Sequence, residues 1–253
     1  MSGDVIVGWV RPRLVDGDFL DCLLLTLRFD QEVGGGRIGG FQRVVSSANV
    51  SDARNQLVNW FLTSTSVDWL WMVDTDMVWA PDALHRLLAV ADPDSAPIVG
   101  GLCFGRETRT GTVFPTLFEL EPVPGSDEWR FYRYYDWPEG QLMPVDGTGA
   151  AFLLVHRRVF EAVRDHGYSK VFPWFQETEN SGGRVSEDLT FCLRVRDRGF
   201  PIFVHTGVHI GHIKDVAVGA DTYRAQQAAR QATGGGAGSA GQYGNDPPDS
   251  TDA

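Results

Sequence analysis

The chain has 253 residues, of which 43% are hydrophobic and 22% charged. That length and balance fit one large globular domain or two small ones, and they exclude a stapled mini-protein and a mainly disordered chain. Acids outnumber bases 33 to 22, for a net charge of -11. This argues against holding nucleic acid by a broad basic surface, though not against a local basic cleft.

In chain order, Val5 to Val10 reads as a buried strand and Asp18 to Leu27 as a helix with an acidic start. A Gly-rich turn, Gly34 to Gly40, leads to a strand at Phe41 to Ser46. Val50 to Leu62 carries apolar residues at helical spacing. Trp69 to Val73 is a short apolar run that ends in Asp74. Pro81 opens a helix with Leu84, Leu87 and Leu88 as its buried stripe, and Pro97 to Phe104 is a fourth strand. Strands alternating with such helices predict an α/β domain of βαβ units, its central sheet mixed, mostly parallel and flanked by helices.

After Phe104 the pattern turns to strands at Thr112 to Leu120 and Trp129 to Tyr135, separated by the turn Pro122 to Asp127. Ala150 to His156 reads as a strand and Arg157 to Asp165 as a helix. Ser186 to Arg198 is a helix stopped by Gly199, and Pro201 to His205 is a last strand. Residues 1–213 form the expected domain. A helical extension is expected over 214–232, and a disordered Gly-rich tail over 233–253. Cys22, Cys103 and Cys192 are odd in number and widely spaced, which argues against a disulfide framework or a structural zinc site. The first ten residues lack the pattern of a signal peptide, and no window approaches the ~20 apolar residues of a membrane span. A cytoplasmic protein is the expectation.

The strongest local signal is Asp74-Thr75-Asp76, directly after a strand. At the carboxyl end of a parallel sheet, where α/β folds bind ligands, two acids so spaced can hold a divalent cation and the charged ligand it bridges. Solvated turn acids are the plain alternative. Ser186-Glu187-Asp188 opens a helix. Serine caps and first-turn acids favour the helix dipole, but a carboxylate such as Asp188 or Glu187 can also serve as a general base. His212, after Gly211, offers an imidazole ligand, with His205 and His209 as competitors. Gly147-Thr148-Gly149-Ala150 either admits a ligand close to backbone or makes a tight turn. Arg54-Asn55 lies on the second helix, where Arg54 suits a diphosphate or is a surface charge. Phe172-Pro173-Trp174-Phe175 is either core or a platform for sugar faces, and Trp137 falls in the same class.

Taken in order from about Val5 to Ile213, these pieces resemble a GT-A fold glycosyltransferase of the family-2-like group with many bacteriophage and bacterial members. The motifs are Ala53-Arg54-Asn55, Trp69 to Met77, Ile98 to Leu102, Gly147 to Ala150, Pro173-Trp174-Phe175, Ser186 to Cys192 and Gly211-His212. The resemblance implies a nucleotide-diphosphate sugar donor, a UDP- or GDP-sugar, and a Mn2+ or Mg2+ ion. It makes Asp74, Asp76 and His212 the metal set, with Asp188 the base and Glu187 beside it. Arg11, Pro12, Arg54, Asp74, Thr75, Gly147, Thr148, Gly149 and Trp174 would line the donor. The acceptor would be a hydroxyl on protein, glycan or modified DNA. Two further functions stay open: a nucleotidyltransferase, and a non-catalytic nucleotide-sugar-binding module.

Overall fold

Apolar runs become strands and helical spacings become helices in a computed structural model that describes residues 3–11, 14–46, 49–107, 111–126, 129–180, 183–214 and 224. The chain divides after Ile213, and the fold described is that of the part before this point. β1 (Val5–Arg11), α1 (Gly17–Glu32), β2 (Ile38–Val45), α2 (Val50–Ser64) and β3 (Trp69–Asp74) come first. β4 (Met77–Val78), α3 (Ala83–Leu88) and β5 (Ile98–Leu102) follow. Short strands come next: β6 (Phe104–Arg106), β7 (Val113–Pro115), β8 (Leu117–Pro122), β9 (Trp129–Arg133), β10 (Leu142–Val145) and β11 (Gly147–Thr148). β12 (Phe152–His156), α4 (Arg157–His166), β13 (Thr178–Asn180) and β14 (Gly183–Val185) lead to α5 (Glu187–Asp197), β15 (Ile202–His209) and β16 (Gly211–His212).

Seven strands form the central sheet in the order β10-β15-β5-β12-β3-β1-β2. β2, β1, β3, β5 and β15 point one way, and β12 and β10 run against them. The sheet is therefore mixed and mostly parallel, as the sequence predicts. Side chains alternate between its faces. Ile6, Leu70, Met72, Leu153 and Val155 enter one core with α2, α4 and α5 through Leu57, Phe61, Phe160 and Phe191. Val5, Val7, Trp69, Trp71, Val73, Phe152 and Leu154 enter the other with α1 and α3 through Phe19, Leu84 and Leu87. Each fully buried side chain of this kind contributes about 1.5–3 kcal/mol. Burial on both faces explains why β3 is an unbroken apolar run.

Several boundaries differ from expectation. β2 begins at Ile38, so Gly39 and Gly40 lie in the strand and not in a turn. Asp82 takes the N-cap position of α3 without a side-chain capping bond, and Pro81 stands outside the helix. The expected strand Thr112 to Leu120 is β7 and β8, broken at Thr116, whose amide donates to Cys103 O at 3.0 Å. Gly199 takes φ +79° just after α5, a conformation that ends a helix without steric cost. Arg157 fastens the end of α2 by donating to Phe61 O, Leu62 O and Thr65 O. Among the described residues no helix is long and apolar enough to cross a membrane. The expected extension over 214–232 and tail over 233–253 lie outside the described residues, apart from Lys214 and Arg224.

Candidate active site

β3 ends at Asp74, and the chain turns through Thr75 and Asp76 into β4. β15 runs past the end of β5 and returns as β16, which pairs with β4 so that His212 stands opposite Met77. The Ile213 amide donates to Asp76 O at 2.8 Å. This two-residue ladder sets His212 Nε2 2.8 Å from Asp76 Oδ2. The other ring nitrogen, Nδ1, lies 2.9 Å from Phe104 O. The Phe104 carbonyl and the Asp76 carboxylate are both acceptors, so each takes a hydrogen only from a protonated ring nitrogen facing it.

Asp74 goes elsewhere. Arg54 NH2 donates to Asp74 Oδ2 at 2.8 Å, and its NH1 donates to Glu187 Oε1 at 2.7 Å and to Asp188 Oδ1. Three carboxylates thus meet one guanidinium whose side chain is 5% exposed. They hold the Arg54 proton more tightly than usual, against the cost of burial. Asp74, expected in the metal set, has one carboxylate oxygen bonded to Arg54. Arg54, expected at the nucleotide, is buried and paired with these three acids. Among the described residues no three His, Cys, Asp or Glu side chains form a group able to hold a metal ion. Asp76 with His212 sets a carboxylate beside an imidazole, two kinds of group that ligate divalent cations.

Ser186 accepts from the Leu189 amide and caps α5, so Glu187 and Asp188 stand in its first turn. Burial pushes the Asp188 carboxyl up to about 6; Arg54 and the Ala150 amide oppose the rise, and the charges of Glu187 and Asp74 add to it. Asp188 therefore takes up a proton more readily in the folded chain than in the unfolded one. Its contribution to stability is present below pH 3.8 and is lost as pH rises through about 6. Asp188→Asn is expected to lose less stability than the parent over that interval. Melting curves at several pH values check this, and parallel curves would contradict it.

Gly147 to Ala150 pass beside this acid. A Cβ on Gly147 would come within 3.0 Å of Leu189 Cδ2, and one on Gly149 within 3.7 Å of Asp188 Oδ2. Gly147 therefore serves the close packing of β11 on α5. Thr148 and Thr75 are buried, at 2% and 7% exposure. Arg11 ends β1, with its carbonyl accepting from the Ser46 amide. Pro12 lies outside the described residues. Trp174 corrects a further expectation. It is core, with Nε1 donating to Phe160 O at 2.8 Å, so it does not present its face to a sugar.

Sequence reasoning missed what holds that segment. Asn55 donates to Phe175 O at 2.7 Å and accepts from the Trp174 amide at 3.1 Å. Arg194 of α5 donates to Phe172 O and Pro173 O. Arg54 and Asn55 thus do two jobs: one gathers the acids, the other fixes the aromatic turn. Cys103 was also missed. It is buried close to Asp74 and Asp188, and burial raises its thiol well above the ordinary range. Its position after an apolar strand was the available signal.

No protein-family model matches the chain, and no curated protein matches it. Solved structures do. A197 from STIV superposes with a TM-score of 0.53 at 16% identity, over 83% of this chain and 86% of that one. GalNAc-T7 with UDP, GalNAc and Mn2+ superposes with a TM-score of 0.53 at 12% identity, over 84% of this chain and 43% of that one. At these identities the likeness is one of fold, and the fold is GT-A.

Proposed function

We propose that the chain is a divalent-cation-dependent glycosyltransferase that moves a sugar from a nucleotide-diphosphate donor to an acceptor hydroxyl on protein, glycan or modified DNA. The observation that carries it is the meeting of Asp76 and His212 just past the carboxyl end of β3, whose last residue, Asp74, shares Arg54 with a base candidate, Asp188. The fold shared with a protein solved with UDP, GalNAc and Mn2+ supports the same reading. Residues 1–213 are the proposed transferase.

Asp76 and His212 would hold Mn2+ or Mg2+. A cation held there would offset charge on the departing nucleoside diphosphate, a contribution of several kcal/mol. The rest belongs to the chain. Asp188 takes the proton of the acceptor hydroxyl as its oxygen bonds to the anomeric carbon; the bond from that carbon to the diphosphate breaks, and its electron pair leaves with the diphosphate. Arg54 sets the position of Asp188 and ties it to Asp74. A carboxyl titrating at about 6 is largely ionised at neutral pH yet basic enough to accept a proton. Turnover is expected to rise with pH through that region.

The test is a panel of UDP- and GDP-sugars with Mn2+, read by melting temperature and product. A donor at 100 times its Kd adds about 2.7 kcal/mol of stability. Release of UDP or GDP supports the proposal. Pyrophosphate released from a nucleoside triphosphate, or binding without turnover whatever the acceptor, overturns it.

A further inference from the structure

Away from the site just described, a cleft of about 310 Å³ opens between β9, the hairpin of β13 with β14, and the turn after β8. Its size lies near the lower end of the about 300–1,000 Å³ of small-molecule pockets. Trp129 and Phe131 line it with Val123, and Arg130, Asn180 and Arg184 supply the polar groups. β9 is one of the two edge strands of its three-stranded sheet, β11-β8-β9. Asn180 donates to Trp129 O at 3.1 Å and ties the hairpin to that strand.

The lining is unusual for this chain. Acids exceed bases 33 to 22 overall, yet among the described lining residues two are arginines and none is acidic. Arg130 faces Glu121 across β8 and β9, and Arg184 faces Glu179 across the hairpin, but neither glutamate reaches the cleft lining. Arg184 also pairs with Glu177 at the surface, with 68% of its side chain exposed. Such an exposed pair is weak and exchanges readily for another anion. The Arg196 guanidinium stacks over the Trp129 ring at 5.3 Å, on the side of a second, smaller cleft lined by Leu120 and Leu193. Trp129 thus lines both clefts.

Indole and phenyl faces take the apolar face of a sugar ring, and guanidinium forks take a carboxylate or phosphate. β14 runs into Ser186 and so to Glu187 and Asp188, with Val185 in both the cleft lining and this junction. We infer that this cleft binds a sugar residue carrying a carboxylate or phosphate group, as part of the acceptor. The acceptor role rests on the glycosyltransferase reading; the binding itself does not.

The experiment uses the full chain without donor. Glucuronic acid, glucose 6-phosphate, glucose and a glutamate-rich peptide are titrated in turn, with calorimetry as the readout. At least one charged sugar is expected to bind about tenfold or more tighter than glucose. Which of the two binds distinguishes carboxylate from phosphate. The R130Q/R184Q double variant, changed only at exposed side chains, is expected to melt as the parent does and to bind charged and neutral sugars alike. Trp129→Ala is expected to lose binding, and Trp129→Phe to retain most of it if the alanine variant does not fold. Equal binding of glucose and the charged sugars in the parent overturns the inference. A preference unchanged in the double variant overturns it, as does a peptide that binds more tightly than either charged sugar. Failure to hydrolyse any nucleotide sugar would remove the functional proposal and leave these binding results intact.

Discussion

Asp76→Ala is expected to abolish cation-dependent turnover while the protein keeps its melting temperature. The Asp76 side chain is 44% exposed, and changes at such positions usually shift stability by no more than about 0.5 kcal/mol. Its chemical role is larger. Losing the charge stabilisation of a bound cation removes several kcal/mol from the transition state, or about a thousandfold in rate. His212→Ala should share this loss, because Phe104 O holds its ring in place to present Nε2 beside Asp76. Asp74→Asn should behave differently, lowering stability more than cation affinity, since Asp74 binds Arg54. Turnover and Mn2+ titration of the three variants, beside their melting curves, check the pattern. Full activity in Asp76→Ala would remove the central assignment.

Replacing Arg54 by methionine is expected to be the most damaging single change to the fold. Three carboxylates, of Asp74, Glu187 and Asp188, would lose their shared counter-charge in a place where Arg54 is 5% exposed. Breaking a buried ion pair by removing one partner costs about 3–5 kcal/mol. For a chain of this size each kcal/mol shifts Tm by about 2–4 °C. Acid should partly restore the variant, since protonating the carboxylates relieves their repulsion. Thermal melting of Arg54→Met from neutral pH downward gives the answer. A variant as stable as the parent at neutral pH would show that the cluster is not held by this guanidinium.

The sheet was legible because its strands are buried on both faces and so written as continuous apolar runs, as in Trp69 to Val73. The helix at Ser186 was legible from local chemistry, a serine cap before two acids. The short strands were not. β4 and β16 are two residues long, and such strands exist only because a remote partner completes their hydrogen bonds. That ladder sets His212 against Asp76, a contact between residues 136 apart. Asp74-Thr75-Asp76 could be found as a motif, but not the divergence of its two acids. That depends on Arg54, reaching from another helix. Trp174 was ambiguous for the same reason. Asn55, 119 residues away, decides that its backbone turns inward. In each case the local sequence names the group, and a distant donor or acceptor decides its direction.

The place of β12 bears on how the protein is made. It fills the gap between β3 and β5, antiparallel to both. A nascent chain that has left the ribosome as far as Leu102 holds β1, β2, β3 and β5, but not the strand that joins them. Until His156 emerges, β3 and β5 keep unpaired inner edges, and Trp71 lacks the Phe152 ring that packs 5.0 Å from it. Such late closure favours slow folding and exposes edges that other chains can pair with. Of the central sheet, a fragment ending before Phe152 would thus hold only β3, β1 and β2 paired, with β5 lacking both its neighbours, rather than a smaller domain.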